Sequence, residues 1–208
     1  MSPILQPFVL RSTLTSPFGR KVRMAAQVLG LSDRIILMPA DTLDEADTLR
    51  EHNPLGKIPC LLLADGSVLY DSRVIIEFMQ ELVGGETLVP ARGLARYQVL
   101  TRAALADGIT DAALLLVYEK RFRDPGTYSE RWLAHQRGKI TRALAAFENN
   151  PPDAGKTDLV AIALSCALGY LDWRRPVEWR GPHPRLAAWF AEFAAREPAF
   201  ENTRADAS

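Results

Sequence analysis

Asn53-Pro54-Leu55-Gly56-Lys57-Ile58-Pro59-Cys60-Leu61-Leu62-Leu63-Ala64-Asp65-Gly66-Ser67-Val68-Leu69-Tyr70-Asp71-Ser72 decides the fold class. Two short apolar runs, 60–63 and 68–70, flank Asp65-Gly66, a pair that favours the tight twist of an antiparallel hairpin. Directly after the second run, Val74, Ile75, Phe78, Met79 and Leu82 recur at helical spacing. A hairpin that feeds a helix excludes both an all-helical and an all-strand chain.

Working back toward the N-terminus, Phe8-Val9-Leu10 is a further strand candidate. Val22, Ala25, Ala26 and Leu29 then stripe a helix, Gly30 supplies its stop, and Ile35-Ile36-Leu37 reads as a second strand. The predicted order is β-α-β, a loop or short helix, then β-β-α, within residues 1–83. Gly84, Gly85, Pro90 and Gly93 mark 84–93 as a linker.

From 94 to 208 strand signals give way to helical ones. Residues 94–122 form a long helix whose interior Gly108 costs about 1 kcal/mol relative to alanine, which predicts a kink or a close backbone contact. Leu133, Ile140, Leu144 and Phe147 stripe the next helix. Leu159, Ile162, Ala163, Cys166, Ala167, Tyr170 and Leu171 stripe a third, and Leu186, Trp189, Phe190 and Phe193 a fourth. The fold class is therefore an α/β N-terminal domain followed by an all-α C-terminal domain.

Composition narrows the functions open to the chain. Its 208 residues are 48% hydrophobic, enough for a sizeable core, and 25 Lys+Arg balance 25 Asp+Glu. A formal net charge of zero argues against a nucleic-acid footprint or a polybasic membrane surface. No apolar run approaches the roughly 18 residues of a membrane span. Met1-Ser2-Pro3-Ile4-Leu5 lacks the basic flank and apolar core of a secretory leader, so a soluble cytoplasmic protein is expected. Cys60 and Cys166 are too few for a disulfide framework. Neither they nor His52, His135 and His183 have metal-ligand spacing, and the histidines read as surface or capping residues. Both cysteines read as small core residues. Arg174-Arg175 and the run Lys120-Arg121-Phe122-Arg123 read as solvated helix ends.

Three segments of the N-terminal part can carry chemistry. In Thr15-Ser16-Pro17-Phe18, proline suits the first position of a helix and Ser16 its cap. Read alone, Ser16 is a plain cap; its functional reading is a hydroxyl that, with the helix dipole, faces an anion and hydrogen-bonds a thiolate carried by a ligand. No elbow glycines or His/Asp partners support a hydrolase triad. In the loop 53–60, Pro59 cannot donate to a strand ladder and suits a cis turn, which would turn the backbone of Ile58 outward to pair with a peptide-like ligand. Lys57 would add a charge for a carboxylate; read alone, it is a solvated loop lysine. Ser72 opens a helix and can offer its hydroxyl and nearby N–H groups to a carboxylate, while Asp71 can pair with an ammonium. Read alone, this pair is again a cap. Partners for a thiolate, a peptide backbone, a carboxylate and an amine together suit a small zwitterionic thiol peptide.

On these residues the chain resembles a glutathione S-transferase over essentially its whole length. Ser16-Pro17-Phe18-Gly19-Arg20-Lys21-Val22-Arg23 resembles the serine-type active-site segment, and 53–59 the loop before the family's cis-proline. Leu69-Tyr70-Asp71-Ser72 resembles its acidic-Ser helix start. The tail from His183-Pro184-Arg185-Leu186 to Arg196-Glu197-Pro198-Ala199-Phe200 resembles its last helix. The resemblance implies a thioredoxin-like domain at 1–83, a linker at 84–93, an all-helical domain at 94–208, a homodimer and a role in detoxification. It implies glutathione as co-substrate: Ser16 stabilises its thiolate, Lys57 contacts its carboxylate region, Ile58 ahead of Pro59 pairs with its cysteinyl backbone, and Asp71 with Ser72 holds its γ-glutamyl end. The thiolate would attack a small hydrophobic electrophile in an apolar pocket between the domains, which Tyr118 is expected to line.

Some residues depart from the family pattern. Asp71 stands where many members have Glu, a shorter reach toward an amine. Asp158 is the expected cap of the third C-terminal helix, but Ala161 leaves the reciprocal capping box incomplete. No cysteine occupies position 16 or 19, which argues against dithiol redox chemistry. Two other readings compete with conjugation: a non-catalytic protein-binding module on the same fold, and glutathione-dependent peroxide reduction, isomerisation or dehalogenation.

Overall fold

The computed structural model describes residues 7–205, so the expectation read from Met1 to Leu5 lies outside the described residues. The chain divides into two compact units. One runs up to Ala91 and includes the stretch that starts at Ala199; the other is Arg92–Pro198.

The first unit is built on four strands, β1 (Phe8–Arg11), β2 (Ile35–Met38), β3 (Cys60–Leu62) and β4 (Val68–Leu69), in the order β2-β1-β3-β4. β1 and β2 are parallel, joined through helix α1 (Pro17–Val28); β1 pairs antiparallel with β3, and β3 with β4. A single helical turn, α2 (Leu49–His52), precedes β3, and α3 (Ser72–Val83) follows β4 and packs on α1. This is the thioredoxin-like architecture. Its core gathers Phe8 and Leu10 of β1, Val22, Met24, Ala25 and Ala26 of α1, Cys60 and Leu61 of β3, and Ile75, Ile76 and Met79 of α3. The α3 stripe differs by one residue from the predicted one. Val74 is exposed, and Ile76, about 100° round the helix from Ile75 on the side away from Val74, takes the inward place.

Two stretches differ from the sequence reading at its boundaries. Leu88 and Val89, inside the predicted linker, are buried, and the Gln80 side chain fixes them. Its amide Nε2 donates to the Val89 carbonyl at 2.7 Å, and its Oε1 accepts from the N–H groups of Leu88 and Val89, each at 2.8 Å. At the other end, 199–204 belongs with the first unit because Arg20 of α1 reaches it. The Arg20 guanidinium donates to the Phe200 carbonyl at 2.6 Å and lies 4.2 Å over the Phe200 ring.

The second unit is all-helical: α4 (Gly93–Phe122), α5 (Glu130–Asn149), α6 (Leu159–Arg174) and α7 (Pro184–Arg196), with the short α8 (Pro198–Asn202) crossing the unit boundary. α6 is buried nearly all round, as a central helix must be, and packs against α4 and α7. Asp158 caps it by accepting from the Ala161 N–H at 2.9 Å. α4 runs through Gly108 as one helix, and a Cβ there would meet nothing within 4 Å, so of the kink and the close contact expected for this glycine, the contact is not found. His183 stands at the α7 cap position, one of its two expected places, but is buried, and its ring Nδ1 lies 2.7 Å from the Trp179 carbonyl instead of bonding the helix N–H groups.

Candidate functional site

The strand register brings the three candidate segments to one end of the sheet. Arg11, the last residue of β1, is opposite Cys60, the first of β3, and Leu61 is opposite Leu69 of β4. The chain therefore leaves β1 toward Ser16, enters β3 from Lys57-Ile58-Pro59, and leaves β4 toward Asp71-Ser72 at the same end. α1 and α3 both start there, so two helix N-termini, each with partial positive charge and unpaired N–H groups, open on this end.

Ser16 is the N-cap of α1. Its Oγ accepts from the Gly19 N–H at 3.0 Å, and its carbonyl accepts from the Arg20 N–H at 2.8 Å. A hydroxyl that accepts one bond still has its own proton to donate. Gly19 is where the cap and the strand end crowd each other. A Cβ there would lie 2.0 Å from Ser12 Oγ and 3.3 Å from Ser16 Cβ, so only glycine lets α1 start this close to the end of β1.

Lys57 is exposed, Ile58 is half-buried and Pro59 is buried behind a cis Ile58–Pro59 peptide bond. Among the described residues, neither the N–H nor the C=O of Ile58 has a hydrogen-bond partner, which leaves both free beside the sheet end. Asn53, 2% exposed, shapes the loop that presents them. Its Nδ2 donates to the Lys57 carbonyl at 2.8 Å and its Oδ1 accepts from the Leu55 N–H at 3.1 Å. Gly56, at φ +59°, makes the turn between these two bonds.

Asp71 caps α3: its Oδ1 accepts from the Arg73 N–H at 2.9 Å. That bond uses one carboxylate oxygen of an exposed side chain. Ser72 is buried at the first turn, and the Tyr70–Asp71 peptide bond is cis.

A second layer, which the sequence reading did not identify, sits behind the loop. Arg11, 3% exposed, extends from the end of β1 to α2. Its Nη2 pairs with Asp47 Oδ1, while its Nη1 donates to Thr48 Oγ1 at 2.9 Å and lies 3.3 Å from His52 Nδ1. Asp47 also accepts from the N–H groups of Asp41 and Leu49. Those two amides, with Arg11, hold its carboxyl below the ordinary carboxylate value. His52, read as a surface or capping residue, is thus part of a polar cluster under α2, whose C-cap is Asn53. Nothing in the spacing of Arg11 and Asp47 signals this pairing across 36 residues. Cys60 sits at the same sheet end but is fully buried, and burial pushes its thiol up against the weaker opposing pull of Arg11. It is a core residue and not a nucleophile. Among the described residues no group of His, Cys, Asp and Glu could hold a metal ion.

Comparison with known proteins identifies the family. The family description "Glutathione S-transferase, N-terminal domain" matches residues 15–82, a span that contains all three segments. The uncharacterized GST-like protein YibF of Escherichia coli K12 is 34% identical over 193 residues, 90% of this chain and 94% of that protein. A glutathione transferase family member from Pseudomonas fluorescens Pf-5, solved with bound glutathione, superposes with a TM-score of 0.89 at 44% identity, covering 95% of this chain and 98% of that one. A glutathione S-transferase from Methylobacillus flagellatus, also solved with glutathione bound, gives a TM-score of 0.84 at 34% identity and the same coverage. At such identity over nearly the whole of both chains, the protein belongs to the glutathione S-transferase family.

Proposed function

We propose that this protein is a glutathione transferase of the serine type, in which the Ser16 hydroxyl donates to the glutathione thiolate. The observation that carries the reading is the meeting of Ser16, Ile58 and Asp71-Ser72 at one sheet end, under two helix N-termini. A free thiol has a pKa near 8.5; a hydroxyl donor and a helix N-terminus both favour its anion, so more of the nucleophile is present at neutral pH. The unpaired N–H and C=O of Ile58 pair with the cysteinyl backbone in the manner of an added strand. Lys57 faces the carboxylate region, and the free oxygen of Asp71 with the Ser72 N–H and hydroxyl takes the γ-glutamyl end. Glutathione bound in the Pseudomonas and Methylobacillus proteins supports the same ligand here.

In the reaction the thiolate sulfur attacks an electrophilic carbon. A C–S bond forms as the leaving group departs with its electron pair, and the thiol proton passes to solvent. The electrophile is a small hydrophobic molecule, and the working protein is a homodimer. Replacing Ser16 by Ala is expected to lower turnover of a chloronitrobenzene-type electrophile with little change in glutathione affinity. Unchanged turnover would remove Ser16 from the mechanism. Mass spectrometry of the product separates a thioether conjugate from glutathione disulfide, the product of peroxide reduction.

A further inference from the structure

The Arg11 side chain has no partner on the sheet that carries it. Among the described residues its hydrogen bonds go to Asp47, Thr48 and His52, all in α2 or directly before it, and its buried Nε has no partner. The guanidinium is a strut from the fixed end of β1 to a single helical turn. Burying a cation is costly, and an apolar residue of similar size would pack the same space, so filling space does not account for it.

α2 needs such a strut. Its four residues are too few to stand as a helix without outside support. Its cap residue Thr48 bonds no helix amide through its side chain; the hydroxyl accepts from Arg11 Nη1 at 2.9 Å instead. Leu49, fully buried in a cluster with Ala40 and Cys60, holds the turn down on the sheet. That contact sets depth but not rotation, because apolar burial has no preferred direction. Hydrogen bonds are directional, and the Arg11 fork reaches Asp47 and Thr48 at the start of the turn and His52 at its end. Asn53 follows directly as the C-cap, and its side chain holds the Lys57 carbonyl and the Leu55 N–H.

We propose that Arg11 is a positioning residue for glutathione: it orients α2, and through Asn53 it sets how the Ile58 N–H and C=O are presented. The proposal rests on the reading above, in which Ile58 pairs with the cysteinyl backbone.

Calorimetric titration of glutathione into the full-length parent and Arg11→Lys tests it, with steady-state kinetics alongside. Lysine keeps a charge beside Asp47, but its compact ammonium lacks the planar fork that reaches Thr48 and His52 together. Affinity for glutathione is expected to fall about fivefold, the scale of one net hydrogen bond, with KM rising in step and kcat nearly unchanged. Thr48→Val, at an exposed position, keeps the ion pair and is expected to lower affinity about twofold; it decides the matter where Arg11→Lys does not fold. In an Asn53→Ala background Arg11→Lys is expected to add no further loss, because its effect runs through Asn53. Unchanged affinity in every variant that folds, a loss confined to kcat, or losses that add in the double variant would overturn the proposal. Absence of glutathione binding to the parent refutes the transferase reading and this inference with it; equal binding to parent and variants refutes this inference alone.

Discussion

The Gly19 backbone N–H donates to Ser16 Oγ at 3.0 Å, and the missing side chain of that same glycine is what lets Ser12 Oγ lie against the helix. One residue thus orients the hydroxyl and sets the distance between the end of β1 and the start of α1. The cap fixes the Ser16 oxygen in place and leaves its proton available to a ligand.

Gly19→Ala is therefore expected to disturb both stability and site. The new methyl would fall 2.0 Å from Ser12 Oγ, so the helix start must shift, at a cost of about 1–3 kcal/mol in a urea titration. Adding Ser12→Ala removes the clashing atom and is expected to recover part of the loss, a coupling that a double-mutant cycle reads directly. Additive effects of the two substitutions would show that the contact does not limit the packing.

Asn53→Ala leaves the Lys57 carbonyl and the Leu55 N–H without their side-chain partner. The loss of each such partly buried bond costs about 0.5–1.5 kcal/mol. The Ile58 backbone then loses its fixed presentation. In steady-state kinetics the KM for glutathione is expected to rise several-fold with kcat nearly unchanged, because Ser16 is untouched.

Asp47 gives a pH dependence with a defined sign. The Asp41 and Leu49 amides and Arg11 hold its carboxyl below its ordinary value of 3.8, so the folded state favours the anion. The stability it contributes is present above that value and disappears as pH falls through the lower folded-state value. Asp47→Asn is expected to lower the urea midpoint at pH 7, with the gap to the parent protein closing below about pH 3.8. A gap that stays constant down to acid pH would mean the anion is not what stabilises this cluster.

Local signals made most of the fold legible. Asp65-Gly66 marked the hairpin, the Ser16-Pro17 pair marked the start of α1, and Leu186, Trp189, Phe190 and Phe193 marked the buried face of α7. Ser16, Pro59 and Asp71 were legible as candidates because caps and pre-strand prolines have short-range signatures. What was hidden is long-range. Gln80 satisfies three backbone groups eight and nine residues away, which turns part of an apparent linker into packed structure. Arg11 finds Asp47 and His52 only after β1, α2 and β3 have assembled.

The central claim is that Ser16 stabilises a bound glutathione thiolate, and its most direct measurement is the ultraviolet thiolate absorbance of glutathione titrated against pH. It is followed on the parent protein and on Ser16→Ala, at concentrations where calorimetry shows the ligand bound. The account predicts an apparent pKa at least about one unit below the free-thiol value near 8.5 in the parent, moving back toward it in the variant. Bound glutathione that titrates at the free-thiol value in both proteins would contradict it.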